Sequence, residues 1–224
     1  MAQVAECYFL EERQLPGNRI SGIAVTRRGY ACPTRCVRVV EAGHPVPDAA
    51  GLAGTAETLA LADSAAAHDL VLVLISGGAS ANWIAPAPGV SLEDKQSATR
   101  ALLACGAAIA EINTVRKHLS RIKGGWLARR AHPAQVVTVG ISDVPGDDPA
   151  VIGSGPTVPD PTTLAQAREI VTRHRLELPA AVTGARQRDA KAWGSGLCPR
   201  FFFAGRPSGG CLPHGRGRGP SRGV

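Results

Sequence analysis

Short apolar runs alternate with longer helix-forming stretches along most of the chain. Ser21–Arg27 (SGIAVTR) and Cys36–Val40 (CVRVV) are rich in β-branched residues and bounded by Gly and Pro, which predicts two short strands. Asp69–Ile75 (DLVLVLI) and Gln135–Ile141 (QVVTVGI) are apolar without alternation. That is the pattern of strands buried on both faces of a parallel sheet. Asp48 is placed to N-cap a helix over Ala49–Ala67. Ser91-Leu92-Glu93-Asp94 forms a capping box and opens a helix reaching about Ala110. A further helix is expected over Val115–Ala131, and a last one from Thr162 or Thr163 to His174. Alternating strands and helices predict an α/β fold, with a mostly parallel sheet and helices on both faces. Ligands in such folds sit beyond the carboxyl ends of the strands. The loops Ser76–Asn82 and Ser142–Pro156 both fall there.

The pattern stops near residue 183. From Thr183 to Val224 there are ten Gly and four Pro in 42 residues, with no helical or strand period. That stretch holds eight basic residues and one acid, a balance of +7, equal to the net charge of the whole chain. Residues 1–182 carry 17 basic and 17 acidic residues. The body is therefore neutral, and no basic domain asks for nucleic acid. The tail (183–224) reads as a disordered or frameshifted end; the other reading is a basic arm touching nucleic acid.

Composition narrows the class further. At 44% hydrophobic and 4% aromatic residues, the core is built from Ala, Val, Leu and Ile. No apolar run approaches the roughly 20 residues of a membrane span. The first residues, MAQVAECYFLEERQ, lack the basic segment of a secretory signal. The six cysteines include a Cys32/Cys36 pair but no second pair or His cluster at zinc-like spacing. They read as free thiols of a reduced, cytoplasmic compartment.

Four segments carry candidate chemistry. In the loop Ser76-Gly77-Gly78-Ala79-Ser80-Ala81-Asn82, glycines let backbone N–H groups approach an anion and Ser side chains add hydrogen bonds. A tight turn with no ligand would look the same. The loop is neither a Walker A motif nor a dinucleotide fingerprint, since Gly-Lys occurs nowhere and Gly153-Ser154-Gly155 is followed by Val158 in place of the third glycine. Asn113 to Gly125 (NTVRKHLSRIKGG) concentrates Arg116, Lys117 and Lys123. Arg116 and Lys123 are seven apart and can share one helix face, as phosphate-directed cations or as a solvated basic face. Ser142 to Asp148 (SDVPGDD) places Asp143 and Asp147 after a strand, where a carboxylate can hold Mg²⁺ or accept a hydroxyl proton, or can simply make a turn. His44 lies in the rigid stretch Gly43-His44-Pro45, in a structural or substrate-contacting role.

Taken in order, VVEAGHPVPDAAGL, LISGGASA, DKQSATRALLACGAAIAEINTVRKHLSRIKGG and ISDVPGDDPAVIGSGPTVPDPTT resemble the class II glycerate kinases (glycerate 2-kinases), a family also named hydroxypyruvate reductase. The resemblance runs from about Ile20 to Val182. It implies ATP- and Mg²⁺-dependent phosphorylation of D-glycerate to 2-phosphoglycerate, with D-glycerate and ATP as partners and a homodimer left open. It also implies a Rossmann-like three-layer α/β/α sandwich, incomplete at its N-terminus, in residues 1–182. Carried over by position, Ser76, Gly77, Gly78 and Ser80 would form an anion-binding turn. Asn113, Arg116, Lys117 and Lys123 would contact glycerate or phosphate, with Lys117 catalytic. Asp143 would bind metal or act as base, with Asp147 in support. The alternatives are an NAD(P)H-dependent hydroxypyruvate reductase, which the missing fingerprint disfavours, and an inactive fragment.

The chain departs from that family in three ways. The family's Gly-Lys-Ala-type motif near its N-terminus has no counterpart, its C-terminal domain has none either, and Ala79 replaces a glycine of the Ser-Gly-Gly-Gly-Ser loop. If that position needed a positive φ, alanine would cost about 1 kcal/mol. With half of the cleft wall missing, little or no kinase activity is expected of the polypeptide alone.

Overall fold

The computed structural model describes residues 1–185 and 199–203; the rest of the basic tail lies outside the described residues. The first helix, α1 (Ala2–Cys7), continues into a wider turn over Tyr8–Glu12. Buried Glu6 of α1 accepts the backbone N–H groups of Cys36 (2.8 Å) and Val37 (2.9 Å). Strands β1 (Gly22–Arg27) and β2 (Val37–Ala42) pair in parallel. Helix α2 (Ala49–Asp63) follows, with the Asp48 carboxylate accepting from the Gly51 N–H at 2.9 Å, as its N-cap position requires. It ends at Asp63, one turn short of the expected Ala67.

β3 (Leu70–Ile75) comes next and leads through a tight turn into the single helical turn α3 (Ala79–Asn82). The next two helices depart from expectation. α4 (Leu92–Ala104) has the capping box of Ser91 and Asp94 but stops before Gly106, whose φ is +73°, so it does not reach Ala110. The expected helix over 115–131 is also not one helix. α5 (Ile109–His118) and α6 (Trp126–Ala131) are separated by a turn that ends in Gly124 (φ +61°) and Gly125 (φ +86°). Two successive left-handed glycines break a helix, whatever the propensity around them. Arg116 is therefore on α5 while Lys123 is in the turn, and the shared helix face does not exist.

β4 (Gln135–Gly140), α7 (Leu164–Arg173, capped by Thr163 and Gln166) and the short α8 (Ala180–Thr183) complete the body. β5 (Arg200–Phe203) lies within the stretch that showed no strand period. It pairs in parallel with β4, Val137 opposite Arg200.

Every strand pair among the described residues is parallel, in two groups: β1–β2 and β3–β4–β5. Helix α2 bridges them: Arg38 of β2 donates to Glu57 of α2 (3.0 Å), and its apolar side packs on both groups. At Gly54 an added Cβ would lie 3.0 Å from Val25 and 3.2 Å from Val40, so glycine lets the helix sit directly on β1 and β2. Further along α2, Leu59 and Ala62 enter the core formed by Val73 and Ile75 of β3, Val136 of β4 and Leu127 and Ala128 of α6. A second core, around Leu102, Val115, Leu119 and Ile170, joins α4, α5 and α7. The mixed α/β class with parallel strands is as expected from the sequence. No helix among the described residues is long and apolar enough to cross a membrane.

Candidate functional site

β3 and β4 are neighbours and end level, Ile75 opposite Gly140. The loops that leave them must therefore emerge side by side. One is Ser76-Gly77-Gly78 and the other begins Ile141-Ser142-Asp143. Their approach is close: a Cβ at Gly77 would sit 2.5 Å from Asp143 Oδ2. Next to it, Gly78 adopts φ +83°, and a Cβ there would lie 3.0 Å from His44 Nε2. Glycine at both positions thus allows an exposed carboxylate and an exposed imidazole to reach one turn. Ala79 is the first residue of α3 and lies outside the left-handed region, so the strain considered for it is absent.

Ser80 is the centre of the cluster. Lys123 Nζ donates to its carbonyl (2.8 Å) and to its hydroxyl (3.0 Å), and Arg116 Nη2 donates to the same carbonyl (3.3 Å). The Ser80 hydroxyl is 3.0 Å from that of Ser154. Lys123 is 2% exposed. Burial, then the charges of Arg116 and Lys95, hold its ammonium well below the ordinary lysine range. Burial likewise lowers the Arg116 guanidinium, whose Nε has no partner in the structure. No carboxylate among the described residues lies within ion-pair distance of Lys95, Arg116 or Lys123. A buried donor without a partner is costly, and such groups mark places where water or an ion belongs.

The remaining sequence candidates are disposed differently. Lys117 is buried on α5 and turns to Asp160, 3.5 Å away. Asn113 is buried on the same helix. Asp147 is half-buried with φ +53°, and its N–H donates to the Val144 carbonyl (3.1 Å). Asp148 accepts from the Ala150 N–H at 2.8 Å, which is turn chemistry. The described residues hold no group of three or more His, Cys, Asp or Glu able to bind a metal ion. Ser76, Gly77, Gly78, Ser80, Arg116, Lys123 and Asp143 are thus brought together, and Lys117 is directed elsewhere. An apolar groove of about 270 Å³ between α5 and α7, lined by Val115, Leu119, Ala167 and Val171, touches none of these residues.

Three residues escaped the sequence reading. Ser154 sits in Gly153-Ser154-Gly155, all three with positive φ, in a loop held to the Gly124–Gly125 turn by Gly124 N–H to Ser154 O (3.0 Å) and Gly125 N–H to Gly155 O (2.7 Å). Its signal is the Gly-Ser-Gly string at the head of the Pro-rich stretch 153–161, which falls short of a nucleotide fingerprint and reads as a loop over the site or a simple connection. Asp160 lay between two prolines and gave no signal. Lys95 is a charged residue at a buried position of α4, legible as an anomaly only once the helix face is known.

Lys95 also sets a pH dependence. It is 4% exposed, and burial first, then the Arg116 charge, lower its pKa to about 7 from 10.5. Between those values the unfolded chain binds the extra proton, so stability rises with pH from about 7 to 10.5; below pH 7 the cost of the buried ammonium is fully present. Urea unfolding at pH 7 and pH 9 is expected to show a gain of which on the order of 2 kcal/mol comes from Lys95. Lys95→Met should reduce that gain, leaving the part due to Lys123. An equal gain in parent and variant would exclude Lys95 as a source.

The family described as "Domain of unknown function (DUF4147)" matches residues 1–186. That limit falls close to the point where the sequence pattern stops. A protein of Agrobacterium vitis that carries hydroxypyruvate reductase as a provisional name is 53% identical over 162 residues, 72% of this chain and 42% of that protein. The D-glycerate 2-kinase of Thermotoga maritima is 46% identical over 165 residues, 73% of this chain and 40% of that protein. A crystal structure of glycerate kinase from Thermotoga maritima superposes with a TM-score of 0.81 at 40% identity, covering 91% of this chain and 47% of that one. The chain thus spans less than half the length of the relatives it matches.

Proposed function

Because the chain belongs to the DUF4147 family, with relatives named glycerate kinases, we propose that it carries part of the site for ATP-dependent phosphorylation of D-glycerate to 2-phosphoglycerate. The observation that supports this is the meeting of the Ser76–Ser80 turn, Asp143, Arg116 and Lys123 at the level ends of β3 and β4. Phosphoryl transfer asks little covalent chemistry of a protein; it asks for charge aimed at phosphate oxygens and for alignment of the two substrates.

In this reading Ser76, Gly77 and Gly78 offer backbone N–H groups to an anion, while Arg116 and Lys123 hold the turn through Ser80 and keep the region positive. Asn113 and Lys117, which the resemblance assigns to glycerate or phosphate, lie buried on α5, with Lys117 held by Asp160. Mg²⁺ is held by one or two carboxylates together with phosphate oxygens and water. Asp143, exposed and set against Gly77, fits that requirement as first ligand or as base toward the glycerate hydroxyl, with Asp147 in support. The ion would neutralise phosphate charge, and ATP would supply the γ-phosphoryl group. The neutral body and the free thiols accord with a cytoplasmic enzyme acting on small molecules.

Calorimetric titration tests the reading. The full chain is expected to bind ATP saturably in the presence of Mg²⁺. Gly77→Val, whose Cβ would displace Asp143, is expected to weaken that binding at least tenfold (about 1.4 kcal/mol) with little change in melting temperature. Absence of saturable binding by the parent, or loss of NADH on mixing with hydroxypyruvate in proportion to protein, would overturn it.

A further inference from the structure

Lys95 is buried on α4, off the turn at which the site cations meet. Its ammonium donates to the carbonyls of Arg116 and Leu119, each at 3.1 Å. Both carbonyls belong to the end of α5, where helix carbonyls run out of intrahelical partners. From there the chain passes through Ser120, Arg121 and Ile122 to Lys123. The point that Lys95 grips is therefore the common origin of two side chains: Arg116 through its own backbone, and Lys123 four residues beyond Leu119. Both then converge on the Ser80 carbonyl.

Other bonds hold the same turn, but from another side. The Ala87 N–H donates to Leu119 O (3.1 Å), the Arg121 N–H to Ala85 O (2.8 Å), and Arg121 Nε to Pro86 O (3.0 Å). These fasten the turn to the segment 85–87, and none of them reaches the Arg116 carbonyl. An apolar side chain in place of Lys95 would avoid the cost of burying an ammonium with no carboxylate beside it. What the Lys95 amine supplies, and an apolar side chain does not, is a grip on two carbonyls at once.

We propose that Lys95 is a positioning residue for the cationic side of the site, holding the end of α5 so that Arg116 and Lys123 converge on Ser80. Its functional consequence rests on the reading of those cations given above, but the convergence itself can be measured without any ligand.

The chain has four lysines, Lys95, Lys117, Lys123 and Lys191, so acylation of amines followed by peptide mass spectrometry resolves each one. In the parent chain Lys117 and Lys123 are both buried and should react slowly. In Lys95→Met, Lys123 is expected to acylate at least tenfold faster, while Lys117, held by Asp160, keeps its protection. Removing the Lys95 charge by itself favours a protonated and slower-reacting Lys123, so a faster rate reads exposure. Lys95→Gln, which retains an N–H donor, should fall between. The proposal is overturned if Lys123 stays protected in both variants. It is also overturned if Lys117 and Lys123 open together, or if neither variant folds, since Lys95 would then serve the whole domain. Loss of ATP binding with Lys123 still protected would count against the functional reading and leave this one standing.

Discussion

Asp160→Ala is expected to lower the stability of the domain by about 3–5 kcal/mol, the usual cost of removing one partner from a buried ion pair. Asp160 and Lys117 are 7% and 8% exposed in their side chains, with Nζ and Oδ1 3.5 Å apart. The same Oδ1 accepts from the Thr162 N–H (3.1 Å) and hydroxyl (2.8 Å), and Oδ2 is 3.9 Å from His118 Nδ1. One carboxylate thus joins the loop before α7 to two successive residues of α5. Its Cβ also faces Gly124, where an added Cβ would lie 3.1 Å away. Truncation would leave the Lys117 ammonium buried beside a void. Urea midpoints check the magnitude. Lys117→Met in the same chain should recover at least half of the loss, because the charge left behind dominates it. A single variant within about 1 kcal/mol of the parent would show that the pair carries little.

Gly155→Ala should cost about 3 kcal/mol, from left-handed strain and overpacking together. Gly155 has φ +61°, and its added Cβ would lie 2.9 Å from Val158 Cγ2, 3.0 Å from Ala150 Cα and 3.1 Å from Ala150 O. Two of those three neighbours are backbone and cannot swing aside. The carbonyl of Gly155 accepts from the Gly125 N–H, so displacement would pass to the turn that carries Lys123. Thermal unfolding would register the loss directly; a melting temperature equal to the parent's would mean that the loop can move as a unit.

The sequence made β1 to β4, α2 and the start of α4 legible because each has its own local signal. Continuous apolar runs mark β3 and β4, Asp48 caps α2, and Ser91 with Asp94 boxes the start of α4. It misjudged the stretch from Cys105 to Ala131. Helix formers there outnumber breakers, yet Gly106, Gly124 and Gly125 adopt backbone angles that end the helices. At the site, the Ser76–Ser80 turn and Asp143 were readable because they follow strands. The meeting of Arg116 and Lys123 was expected for a helical reason that does not hold; a turn brings them together instead. Lys95, Ser154 and Asp160 depend on contacts between distant segments, which no local pattern encodes.

β5 has a consequence for the order of folding. Arg200–Phe203 is the last described segment of the chain and the outer partner of β4, with Val137 opposite Arg200. Everything between them, including the loop of Ser154 and the helix α7, must be looped out before that ladder can close. Ring closure of this kind is slow compared with local helix formation. During synthesis β3 and β4 can pair first and bring the Ser76 and Asp143 loops together, while the outer edge of β4 waits uncovered until residue 203 has left the ribosome. In that interval the nascent chain presents an apolar parallel strand to whatever meets it, so the outer edge of β4 is one place where misassembly of this domain can begin.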